Sequence, residues 1–252
     1  MIYDLPHVLF VAVVVCVAAT VKGTVGFGFP LIAIPVLSAV FGPRFAIPVV
    51  VPATLISNTI LVSRGGGAGT GSVAPFVLTI AALAVGTVGG AVLMHGLNAG
   101  VLEILVGAMS LLYVVTTAFR LTESVPPIAG RRAAPVVGLV TGLLGGSTGI
   151  FSPVLASYLH MLRLDKRAFV FWITMMFFAG NVVQAVSYFK LGLYGGTVLG
   201  TALLACVPMA IGTWLGLVLQ ERLHPVVFSR VVLVLVCLTS INLIVQGVLA
   251  RG

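Results

Sequence analysis

The chain alternates long apolar runs with short clusters of glycine, proline and charge. Reading the runs and their breakers places apolar helices over 6–22, 29–41, 45–62, 72–95 and 99–119, then over 133–146, 149–162, 168–189, 195–219 and 225–249. Leu, Ala and Val dominate these runs, and no polar–apolar alternation of the barrel type appears. A backbone in lipid must satisfy its own hydrogen bonds, so such runs predict helices. Two of the breaks look alike. Gly26-Phe27-Gly28-Phe29-Pro30 and Gly145-Gly146-Ser147-Thr148-Gly149 each interrupt an apolar run. Each is followed by Pro-Val-Leu, at Pro35 and at Pro153, with equal spacing from Gly28 and Gly146. In that alignment Val140 stands opposite Lys22. Further on, Gly86, Thr87, Gly90 and Leu97 match Gly212, Thr213, Gly216 and Leu223 at one offset, and Asn58 and Asn181 hold similar places. Helices broken at matching places in two halves are a transporter signature. They divide the chain into a first transmembrane repeat (1–121), a linker with Pro126-Pro127 and Gly130-Arg131-Arg132 (122–132), and a second repeat (133–252).

The number of segments decides how the halves relate. Counting 6–41 as one helix gives eight, but at 1.5 Å per residue that helix reaches roughly 54 Å, against roughly 30 Å of hydrocarbon. Cutting it at Gly23–Gly28 gives ten, five per half. The basic residues favour ten. Arg64, Arg120, Arg131, Arg132, Arg163, Lys166, Arg167, Arg222 and Arg230 then fall on one side, and Arg44, Lys190 and Arg251 on the other. Eight segments divide them evenly. Lys and Arg collect on the cytoplasmic side, so the linker is expected in the cytoplasm and both termini outside. Five is an odd number, so the halves must be inverted. The runs 29–41 and 149–162 fall short of the roughly 20 residues a crossing needs. The expectation is an all-α, polytopic membrane bundle of two inverted repeats. Each would open with a broken re-entrant hairpin and continue with three transmembrane helices.

Composition narrows the class. Of 252 residues, 60% are hydrophobic and 7% charged, and mean hydropathy is +1.25, whereas soluble domains carry about 25% charged residues. The net charge of +8 is scattered singly at segment ends, so the partner is the lipid bilayer and not a nucleic acid. Cys16, Cys206 and Cys237 lie in apolar runs and read as small buried hydrophobes. His7, His95, His160 and His224 are too dispersed for a metal site, and no cofactor is expected. Among Asp4, Glu103, Glu123, Asp165 and Glu221 only Glu103 sits within an apolar run, so no carboxylate relay for protons is visible. The Gly65–Gly71 stretch lacks the strand and the Gly-Lys-Ser/Thr ending of a phosphate loop. No nucleophile converges with a base, which argues against an enzyme. Glycine-rich helix faces are compatible with a homodimer.

The chemistry concentrates at the breaks. Helix N-termini carry unpaired N–H groups and the positive dipole end, and so bind anions. Glycine allows close backbone approach there. Lys22 lies inside an apolar run beside the first break; a charge there needs a partner or a watery cavity. The candidate substrate-binding residues are therefore Lys22, Gly26, Phe27, Gly28 and Phe29 at the first break, and Gly145, Gly146, Ser147, Thr148 and Gly149 at the second. Ser147 and Thr148 either cap the second-half helix or offer hydroxyls to a ligand. The buried amides Asn58, Asn181 and Gln184 either line the site or bond between helices, with Asn181 and Gln184 on one helix face. Trp172 and Tyr188 are pathway aromatics or packing residues.

Lys22-Gly23-Thr24-Val25-Gly26-Phe27-Gly28 through Pro35, the stretch Gly142 to Pro153, and the two Gly-Thr-x-x-Gly helices together resemble the TauE/SafE family of sulfite-exporter-like permeases. The resemblance covers nearly the whole chain. It implies movement of a small anionic substrate, sulfite or an organosulfonate, across the bacterial inner (cytoplasmic) membrane. Joined to the paired breaks, it gives a secondary transporter working by alternating access and coupled to an ion or proton gradient. An anion channel, or a carrier of another small organic anion, is the alternative; saturable, exchange-capable flux separates carrier from channel.

Overall fold

A computed structural model describes residues 4–25, 28–64, 73–118, 130–219 and 225–250. Gly26, Phe27, the glycine loop 65–71, linker residues 122–129 and Leu223 lie outside the described residues. Those described form ten α-helices and no strand. They are α1 Leu5–Val25, α2 Phe29–Phe41, α3 Pro43–Arg64, α4 Ala74–Gly96, α5 Ala99–Ala118, α6 Gly130–Thr148, α7 Ser152–Met161, α8 Lys166–Lys190, α9 Gly196–Leu219 and α10 Pro225–Leu249. Every apolar run read from the sequence corresponds to one of them. Two starts differ. The helix α6 begins at Gly130, inside the expected linker, and α7 begins at Ser152, because Gly149 takes a left-handed conformation (φ 76°) that a helix cannot contain.

Helices α1, α3, α4, α5, α8 and α9 are long and apolar enough to cross a membrane. The shortest, α2 and α7, have 13 and 10 residues, or about 20 and 15 Å. Exposed Val13 and Val17 on α1, Val85 and Val92 on α4, and Leu203, Val207 and Trp214 on α9 form apolar outer ridges. They suit a lipid surround.

The two most extensive contacts join α4 to α6 and α1 to α9. Both are made by glycine against backbone. Gly86 and Gly90 of α4 lie on the carbonyls of Leu139 and Leu143, while Gly212 and Gly216 of α9 lie on those of Cys16 and Thr20. A Cβ at any of the four would strike the facing oxygen.

One offset carries the end of α1 at Val25 to the end of α6 at Thr148. It also carries the start of α2 at Phe29 to that of α7 at Ser152, the start of α3 at Pro43 to that of α8 at Lys166, and Asn58 to Asn181. This register corrects the one read from the Pro-Val-Leu echo. Pro35 lies inside α2, whereas Pro153 sits in the first turn of α7, as Pro30 does in α2. Both short helices start after a left-handed glycine and take proline in the first turn, where its missing N–H costs nothing. Gly145, not Val140, therefore stands opposite Lys22.

Candidate functional site

The first break follows the last turn of α1, which holds Lys22. The chain resumes at Gly28 in a left-handed conformation (φ 107°) and enters α2. At the second break the Gly149 N–H closes the end of α6 by donating to the Gly145 carbonyl at 2.7 Å. Thr148 Oγ1 then accepts from the Ile150 N–H at 3.2 Å. Neither α2 nor α7 has a side-chain cap. Their first-turn N–H groups are left to whatever lies in front of them.

In front of both lies one small cavity. Gly28 and Pro30 line it from the start of α2; Gly149, Phe151 and Ser152 line it from the approach to α7. Lys22 of α1, Thr54 of α3, and Phe177 and Asn181 of α8 complete the wall. The two breaks touch beside it, for Ile34 of α2 packs so closely on Gly149 that a Cβ there would collide.

Lys22 is buried, at 1% exposure. Its ammonium donates to Asn58 Oδ1, and Asn58 Nδ2 has no partner among the described residues. No carboxylate among those residues pairs with Lys22. Its position in the last turn of α1 places the ammonium by the negative end of that helix dipole. The other polar groups of the wall are partly engaged: Thr54 Oγ1 donates to the Val50 carbonyl at 2.8 Å and Asn181 Nδ2 to that of Phe177 at 2.6 Å.

The cavity thus brings together Lys22, Gly28, Gly149 and Asn181 from the sequence-derived set, with Asn58 directly behind Lys22. The others among the described residues lie elsewhere. Phe29 is wholly buried in the core. Gly146 packs against Thr87 and Gly90 of α4. The Ser147 and Thr148 hydroxyls donate back to the carbonyls of Leu143 and Leu144, at 2.9 and 2.7 Å. They do not cap α7, because that helix starts later, with Phe151 in the cap position. Gln184 turns away from Asn181: its Nε2 donates to the Gly145 carbonyl at 3.0 Å and to Tyr188 Oη at 2.8 Å, and Tyr188 Oη donates to the Gly146 carbonyl at 2.7 Å. This buried cluster pairs the Gly146 carbonyl at the C-terminal end of α6 and gives the Gly145 carbonyl a second donor beside the Gly149 N–H. Trp172 stacks on Phe76 with ring centroids 4.1 Å apart, which is packing.

Sequence reasoning missed Pro30, Thr54, Phe151, Ser152 and Phe177. A signal for two of them was present: Thr54 and Phe177 each lie one helical turn before an intramembrane asparagine, Asn58 or Asn181.

The family model described as Sulfite exporter TauE/SafE matches residues 11–243, so the chain belongs to that family. No curated protein and no solved structure matches it.

Proposed function

As a member of that family the chain is a multi-pass membrane protein of the sulfite-exporter type, and we propose that it is a secondary transporter moving small sulfur-containing anions, sulfite or organosulfonates, across the cytoplasmic membrane. The observation that carries this reading is the convergence of the Lys22 ammonium and two uncapped helix N-termini on one cavity. A buried cation without a carboxylate is costly in a membrane, and helix N-termini favour negative charge. An anionic substrate supplies the missing charge to all three at once.

In the same reading, α1–α5 and α6–α10 are inverted repeats working by alternating access. The shared offset and the twice-made glycine crossing support this. The short helices α2 and α7 are the re-entrant arms, entering from opposite faces with their N-termini meeting at the midplane. Each half's first helix is fixed to the other half's fourth. Two exchanged units, α1 with α9 and α6 with α4, are then the bodies that rock around the cavity. The basic residues orient the bundle with the linker in the cytoplasm and the termini outside. These 252 residues carry no nucleotide-binding motif, so the driving force in this reading is an ion or proton gradient.

The test is sulfite flux into proteoliposomes of purified protein, with sulfoacetate as competitor and a pH jump as driving force. Saturable sulfite flux that sulfoacetate inhibits is the expected result, and a response to the jump assigns the coupling to protons. No flux of either compound, in vesicles holding folded protein, removes the substrate assignment.

A further inference from the structure

The offset that relates α1–α3 to α6–α8 also pairs the positions around the cavity, and four pairs have diverged in chemistry. Lys22 is paired with Gly145, Gly28 with Phe151, Phe29 with Ser152, and Thr54 with Phe177. The first half supplies an ammonium, bare backbone and a hydroxyl. The second supplies two phenyl rings together with the polar side chains of Ser152 and Asn181. The exchange is steric as well as chemical. The Phe151 ring lies over Gly145, where a Cβ would strike it, and over Gly180, whose Cβ would come within 3.0 Å of its edge. Phe151 and Phe177 are both buried, at 3% and 7% exposure, and both line the cavity.

The result is a cavity with its cation on the first-half side and its two phenyl rings, beside Ser152 and Asn181, on the second-half side. An inorganic oxyanion presents oxygen in every direction. Oxygens turned toward phenyl rings lose their water and gain no hydrogen bond, which is unfavourable. An anion with a short hydrocarbon substituent presents its oxygens to Lys22 and the helix N-termini and its carbon to the rings. In such a site each methylene is worth about 10- to 200-fold in discrimination.

We propose that Phe151 and Phe177 are the selectivity residues, and that they set the site to prefer small organic anions with an apolar substituent over inorganic oxyanions. This rests on the reading of the cavity as the substrate site.

The test uses inhibition of transport in proteoliposomes by methanesulfonate and ethanesulfonate, which carry the same charge and differ by one methylene, with sulfite as the inorganic anion. Wild-type protein is expected to prefer ethanesulfonate to methanesulfonate by about tenfold, with sulfite weakest. Phe177→Thr, which copies the first-half residue, should collapse that ratio toward one, and Phe177→Leu, still apolar, should keep most of it. An unchanged ratio in Phe177→Thr overturns the proposal. So does a wild type that takes sulfite as readily as ethanesulfonate, a result that needs no variant to fold. Loss of transport in Lys22→Met together with an unaltered ratio in Phe177→Thr overturns the role of the rings alone. Absence of saturable flux for all three anions overturns the substrate-site reading and this proposal with it.

Discussion

Asn58 Oδ1 accepts a hydrogen bond from Lys22 Nζ, and both side chains are buried. The pair joins the last turn of α1 to α3. It leaves the ammonium with an acceptor but, among the described residues, with no negative charge. Asn58 thus holds Lys22 without neutralising it, as an anion site requires.

Asn58→Leu removes the acceptor. Hydrogen bonds to charged groups contribute about 1.5–3 kcal/mol, so this variant should unfold at lower temperature in detergent than wild type. Asn58→Asp instead gives Lys22 a carboxylate. It should retain more stability than Asn58→Leu, yet lose roughly tenfold or more in anion affinity, because the internal charge competes with the substrate. Thermal unfolding with and without sulfite reads both quantities.

The paired helix crossings give a second expectation. Gly90→Ala and Gly216→Ala each drive a methyl into a facing carbonyl, of Leu143 and of Thr20. Overpacking of this kind costs about 1–3 kcal/mol. The two variants should lower the unfolding temperature by similar amounts, since the contact is the same one made twice. Gly96→Ala, with nothing within 4 Å, is the control and should leave it unchanged.

The cluster of Gln184 and Tyr188 is separable from the site. Tyr188→Phe deletes the hydroxyl that bonds the Gly146 carbonyl and accepts from Gln184. A buried partner left unpaired costs about 1–3 kcal/mol, so stability should fall while anion affinity stays. Asn181→Leu, on the cavity wall, should do the reverse and weaken the anion. Anion-dependent thermal shifts on the two variants check the contrast.

The ten helices were legible because lipid imposes a single rule on backbone hydrogen bonds, and apolar runs state it plainly. The breaks were legible because glycine beside proline leaves few alternatives. The register between the halves was misread at the hairpins. Pro-Val-Leu is a strong pattern to the eye, but a helix start is set by the left-handed glycine and the first-turn proline, which are Gly28 with Pro30 and Gly149 with Pro153. Lys22, Gly28, Gly149 and Asn181, picked out by chemical type, do line one cavity. Phe151 and Phe177 were not, because a phenylalanine in an apolar helix carries no mark of facing a cavity until the packing is known. Gln184 was assigned to the site for its polarity, which the end of α6 uses instead.

The anion affinity of Lys22→Met, set beside its stability, bears most directly on the cavity as an anion site. The variant loses a buried charge that has no carboxylate among the described residues, but it leaves Asn58 Oδ1 unpaired at a cost of about 1–3 kcal/mol, so it should unfold close to the wild-type temperature. Its saturable flux of sulfite or sulfonate in proteoliposomes should be lost, or its KM raised by roughly tenfold or more. A folded Lys22→Met protein that carries the anion with unchanged KM and rate would contradict the assignment.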